Sequence, residues 1–67
     1  MESSYRDRVA NEKIELDIKI QKLEVFIVST SSVFESLDEG EKSRLRIQLA
    51  VMQAYSQILG ERIYNFK

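Results

Sequence analysis

The sequence predicts an all-α fold: a two-helix antiparallel hairpin with a short helical turn in its connection, assembling into a helical-bundle homo-oligomer. Three observations predict it. Leu45, Leu49, Met52, Ser56, Leu59, Ile63 and Phe66 recur at alternating spacings of 4 and 3, a heptad seam with one hydroxyl in it. Ile47, Val51, Ala54 and Ile58, with Ala50 beside them, form a second apolar stripe on roughly the opposite side of the same segment. The chain has no Pro, only 2 Gly and 31% charged residues, a composition of long helices. A helix with two opposed apolar stripes needs two partners. The chain offers only one other long segment, so the second partner is another copy.

The 67 residues make one helical-hairpin domain, 1–67, with helix 1 over about 5–29 and helix 2 over about 39–64. Ser3 or Ser4 is the expected N-cap of helix 1, with Asp7 three residues past Ser4. Helix 1 also carries two stripes. The first is Tyr5, Val9, Leu16, Ile20, Leu23 and Ile27, and the second Ala10, Ile14, Ile18, Val25 and Val28. Ile14 to Ile20 alternates as a strand would, but no turn residue bounds it and the helical pattern continues on both sides. Ser29, Thr30, Ser31 and Ser32 end the helix, because short hydroxyl side chains compete for backbone hydrogen bonds.

Val33, Phe34 and Leu37 then give a short apolar turn that could cap the core. Asp38 is the expected N-cap of helix 2, with Glu41 in the capping-box position and acid facing the positive helix end. Gly60 lies inside helix 2 and suggests close approach of another backbone. Laid antiparallel, the first stripes match in order, from Ile27 near Leu45, through Leu16 near Ser56, to Tyr5 near Phe66. The second stripes stay on the outside. Ile14, Ile18, Val25, Ile47, Val51, Ala54 and Ile58 are therefore the predicted oligomer interface.

Composition narrows the function. Cys and His are both absent, so no disulfide, no Cys-based or His-based metal site and no imidazole base are expected. No metal or other cofactor is expected, and association is the remaining route to stability for so short a chain. The absence of Cys is compatible with a reducing cytosol. The net charge of −1 disfavours generic duplex-DNA binding, but a small anionic ligand needs only a few local cations. The opening MESSYRDR is polar and not a basic run followed by an apolar core, so no signal peptide is expected, and no apolar run approaches the ~18 residues of a membrane span. The paired carboxylates, Glu12 with Glu15 and Asp38 with Glu39 and Glu41, sit among Lys and Arg at helical spacing and read as solvated faces. No catalytic residue is assigned, and an enzyme is not expected.

Basic residues group at both ends of the hairpin. Tyr5, Arg6 and Arg8 open helix 1 where Arg62 and Lys67 close helix 2, while Lys42, Arg44 and Arg46 lie at the bend, within reach of Lys22. A tyrosine ring beside two or three cations could stack a base and hold phosphate. On residue type alone the favoured reading is the ordinary one, an end-of-core aromatic among solvated charges. Tyr55 reads as edge packing on helix 2, and Ser56 as a back-bonded or cross-helix hydroxyl.

Two patterns carry a resemblance. Y-x-x-R-V-x-x-E-K-x-E-L-x-x-K-I-x-K-L-x-x-F runs from Tyr5 to Phe26, and R-L-x-x-Q-L-x-x-M-x-x-Y-x-x-I-L-G-E-R-I from Arg44 to Ile63. Together they resemble a group of small bacteriophage helical-hairpin proteins that includes the anti-CBASS and anti-Thoeris nucleotide sponges. The resemblance implies a non-enzymatic homo-oligomer, a dimer or hexamer, in the host bacterial cytoplasm. It would hold cyclic nucleotide or cyclic ADP-ribose-type immune signals in pockets between protomers. In the anti-CBASS branch a Tyr in a Y-R-D context stacks on the ligand, which Tyr5-Arg6-Asp7 matches. A phosphate-binding Lys about four turns later has no single counterpart: Lys19 and Lys22 bracket the place, which holds Ile20 and Gln21. The ligand-binding set implied is Tyr5, Arg6, Arg8, Lys19, Lys22 and Arg62. The alternative reading is an oligomeric protein–protein inhibitor or adaptor that docks a helical surface on a host protein. A third, reasoned from architecture alone, is a paired-hairpin RNA binder.

Overall fold

The backbone of residues 2–28 and 32–66 and the side chains of 4–28 and 33–66 are described by a computed structural model. Helix α1 spans Glu2–Val28, the four-residue helix α2 spans Ser32–Glu35, and helix α3 spans Glu39–Tyr64. Among the described residues there is no strand. The two long helices pack antiparallel into a rod with Cα extents of 48 × 15 × 14 Å.

Helix α1 begins earlier than the stripe pattern predicts. Ser3 and Ser4 lie inside it and are not its caps. The apolar periodicity that marks a helix starts only at Tyr5, and a polar first turn leaves no such mark. The expected break at Ser29 to Ser31 lies outside the described residues. At the bend, Leu37 N–H donates to the Phe34 carbonyl (3.1 Å) and the Ser36 hydroxyl donates to the Val33 carbonyl (2.8 Å). Asp38 then caps α3 as its residue type predicts, its carboxylate accepting from Glu41 N–H at 2.8 Å. The Glu41 side chain turns toward Arg44, with N···O at 3.0 Å, so the cap is one-sided.

The seam is made by the first stripes. Val9, Ile20 and Leu59 are buried there, and Phe34 of α2 is 1% exposed at the bend end, where it meets Phe26 edge-on with centroids 5.5 Å apart. Two helices side by side shield little else. Leu16, Leu23, Leu45, Leu49, Met52 and Ile63 remain half-buried. The second stripes face outward. Ile14, Ile18, Val25, Ile47, Val51 and Ile58 are each between 49% and 62% exposed, and Ala54 is exposed beside them. No helix is long and apolar enough to cross a membrane among the described residues.

Candidate ligand-binding site

At the open end of the hairpin, the second turn of α1 meets the last turn of α3. Arg62 Nη2 donates to the Tyr5 hydroxyl at 2.7 Å, with its guanidinium carbon 6.0 Å from the Tyr5 ring centroid. Asn65 ends α3 by donating its side-chain amide to the Glu61 carbonyl at 2.7 Å, and Phe66 N–H donates to the Ile63 carbonyl at 3.1 Å. This tight exit folds Phe66 back over the helix end. Its ring lies 6.0 Å from that of Tyr5, tilted by 58°, and the Arg6 guanidinium sits 5.4 Å from its centroid. Two rings and two guanidinium groups thus interleave. Such a set can offer an aromatic face and bidentate donors to a planar anion at one place. Phe66 is the member that residue type and charge alone do not single out. Its place in the heptad, opposite Tyr5, is the signal that finds it.

The other residues of the implied set are dispersed. Arg8 is exposed on the same turn region of α1. Lys19 and Lys22 are exposed too, but they stand 14 and 17 residues along α1 from Tyr5. That is about 20–25 Å at the helical rise. Within one chain they do not share a site with Tyr5 and Arg62.

The bend end holds a second aromatic–cation cluster of different character. Lys42 Nζ lies 5.7 Å and the Arg46 guanidinium carbon 5.4 Å from the Phe34 centroid. Lys42 is buried and paired with Glu39 (3.4 Å) and Glu35 (3.7 Å), and Arg44 is paired with Glu41. Phe34 is enclosed, so its ring has no face to offer a ligand, whereas Tyr5 is 48% exposed. The bend cluster is a plug for the core. The open end is the one that leaves an aromatic ring half exposed beside guanidinium groups.

Between the two ends, a polar group interrupts the seam. Lys13 Nζ donates to the Ser56 hydroxyl and to Asp17 Oδ2, both at 2.9 Å, and Ser56 Oγ donates to Asp17 Oδ1 at 2.5 Å. The Ser56 hydroxyl, and then the Lys13 ammonium, hold the Asp17 carboxyl below its ordinary 3.8. Gly60 makes room for this. A Cβ there would stand 3.3 Å from Lys13 Cε, the only non-local atom near it among the described residues. What approaches Gly60 within the chain is therefore a side chain and not the backbone that its position suggests. The ~1 kcal/mol that Gly costs in a helix interior is linked to the path of Lys13. Farther out, the Tyr55 hydroxyl donates to Glu12, and Gln53 Nε2 donates to Glu24 at 3.0 Å. Among the described residues no group of three or more acidic side chains is placed to hold a metal ion.

A family model described as Sequestin matches residues 3–65. No curated protein and no solved structure matches the chain.

Proposed function

The chain belongs to the Sequestin family, and from that premise we propose that it is a binding protein that removes a small anionic signal from solution without altering it. The signal is a cyclic nucleotide or a cyclic ADP-ribose-type molecule, held between copies of the chain during phage infection of a bacterium. The family name denotes sequestration. The resemblance to phage nucleotide sponges supplies the chemical class of the ligand. The observation that carries the reading is the open-end cluster: a half-exposed Tyr5 ring held through its hydroxyl by Arg62, with Arg6 and Phe66 against it. Tyr5 is the stacking face, and Arg62 and Arg6 are the phosphate donors. Lys19 or Lys22 joins the site only from a neighbouring copy, since each is about 20 Å or more from Tyr5 along its own helix. Arg8, one turn from Tyr5, lines the mouth.

The outward stripe supports assembly. Ile14, Ile18 and Val25 on α1 and Ile47, Val51, Ala54 and Ile58 on α3 form outward apolar stripes, and the same stripes of neighbouring copies would cover them. Capture then works by mass action: an excess of tight binder lowers the free signal below the threshold of its effector.

Native mass spectrometry of the chain tests this, first alone and then with cyclic di- and trinucleotides and cyclic ADP-ribose isomers. A dimer or hexamer that gains ligand mass in steps set by its symmetry is the expected result. Tyr5→Ala should abolish uptake with the oligomer intact; retained uptake overturns the role of Tyr5. The exposed stripe also favours a second reading, a protein–protein inhibitor that docks this face on a host protein. A chain that stays monomeric, takes up no nucleotide and loses host-protein binding on Val51→Asp would select that reading.

A further inference from the structure

The seam is aliphatic along most of its length, and an aliphatic heptad seam specifies its own register weakly. Sliding α3 along α1 by one heptad replaces one aliphatic contact with another at almost every layer. It does not do so at Ser56, which would leave Lys13 and Asp17 for the neighbourhood of Val9 or Leu23. Lys13 would in turn stand beside Leu49 or Ile63. In the observed register Lys13, Asp17 and Ser56 hydrogen-bond to one another, and Ser56 is 8% exposed. A slipped seam strands a buried hydroxyl and breaks both hydrogen bonds that cross it here, Lys13 to Ser56 and Ser56 to Asp17. Among the described residues the other side-chain hydrogen bonds between α1 and α3, Tyr55 to Glu12, Gln53 to Glu24 and Arg62 to Tyr5, are solvent-exposed and weakly selective. A single polar layer in an apolar helical interface is a known device for choosing register, at some cost in stability.

We infer that Lys13, Asp17 and Ser56, with Gly60 as the gap that admits Lys13, form a register clamp that sets the open end, bringing Tyr5 onto Arg62. These are positioning residues. They lie between about half a turn (Gly60 to Arg62) and a little over three turns (Asp17 to Tyr5) from the Tyr5–Arg62 pair and act on it only through the helices. The functional consequence rests on the binding role proposed above; the clamp itself does not.

The chain lacks Cys, so nitroxide labels on Asn11→Cys and Gln48→Cys report the axial offset of α1 and α3. Labelled chain is diluted into unlabelled chain, so that only distances within one molecule are read. With Ser56 intact, one distance is expected. Ser56→Leu completes the apolar seam and should add a second population displaced by about 10 Å, one heptad of helical rise. It should do so without lowering the melting temperature. Ser56→Ala should broaden the distribution, and Ser56→Thr should restore the single distance. A single unshifted distance in both Ser56→Leu and Ser56→Ala overturns the clamp, as does a loss of melting temperature with no second distance, which marks a purely stabilising group. Binding of cyclic di-AMP, cyclic di-GMP and cyclic ADP-ribose is measured on the same variants. Loss of uptake that tracks the slipped population supports the positioning role. If the unsubstituted chain takes up none of them but the distances behave as stated, the clamp stands and the ligand reading falls.

Discussion

Ser56 is the one hydroxyl in the α3 seam, and its acceptor Asp17 gives it a measurable signature. Hydrogen bonding from Ser56 and Lys13 depresses the Asp17 carboxyl in the folded state. A depressed carboxyl contributes stability that is present above its unfolded value, near 3.8, and is lost as pH falls through the lower folded value. Melting temperature followed below pH 4 should therefore fall less steeply in Asp17→Asn or Ser56→Ala than in the unsubstituted chain. Superimposable acid limbs would dissociate Asp17 from the seam. Phe34 is the other residue on which much depends. It is 1% exposed and is held by Phe26, Lys42 and Arg46. Phe34→Ala should cost about 3–5 kcal/mol in urea unfolding, a large fraction of what so small a domain holds. A cost below ~1 kcal/mol would mean that the bend is not a plug. The value of Phe34 was only half legible from residue type: its apolar turn with Val33 and Leu37 announces a cap, yet Val33 is exposed and Phe34 alone is enclosed.

Helix ends differ in how plainly sequence marks them. Asp38 stands three residues before Glu41 and immediately before a periodic run, and the cap it forms is the one that chemistry predicts. Asp38→Ala should destabilise the chain by about 1 kcal/mol, read from the urea midpoint, with Asp38→Asn largely restoring it. An unchanged midpoint would show that α3 frays freely at that end. The start of α1 carries no comparable signal, because its first turn is all polar and both serines are absorbed into the helix. At the far end, Asn65 bends the chain out of α3 and returns Phe66 to Tyr5. The site thus depends on a helix stop as much as on the residues that would meet the ligand.

For the whole molecule, the outward stripe is the feature with the largest consequence. A rod 48 Å long with aliphatic side chains on both sides of each helix leaves an apolar stripe uncovered on each of them. Val51→Asp with Ile58→Asp should convert the proposed assembly to monomer in sedimentation or native mass spectrometry, since buried unpaired charge opposes association strongly. An oligomer of unchanged size would place the interface elsewhere.

The antiparallel hairpin, the faces that form its seam and the outward stripes were legible in residue spacing alone. Apolar periodicity records which faces of a helix must leave water, but repeats every heptad and so leaves the axial offset to the polar layer at Ser56. Which charged and aromatic heads come together was not. Lys13 crosses the seam to Ser56, while Lys19 and Lys22 remain exposed far from Tyr5; one aromatic cluster closes around Phe34, while the other leaves Tyr5 half open. Long side chains carry their polar ends several bonds from the backbone, and where those ends settle depends on partners that only the packed helices bring within reach.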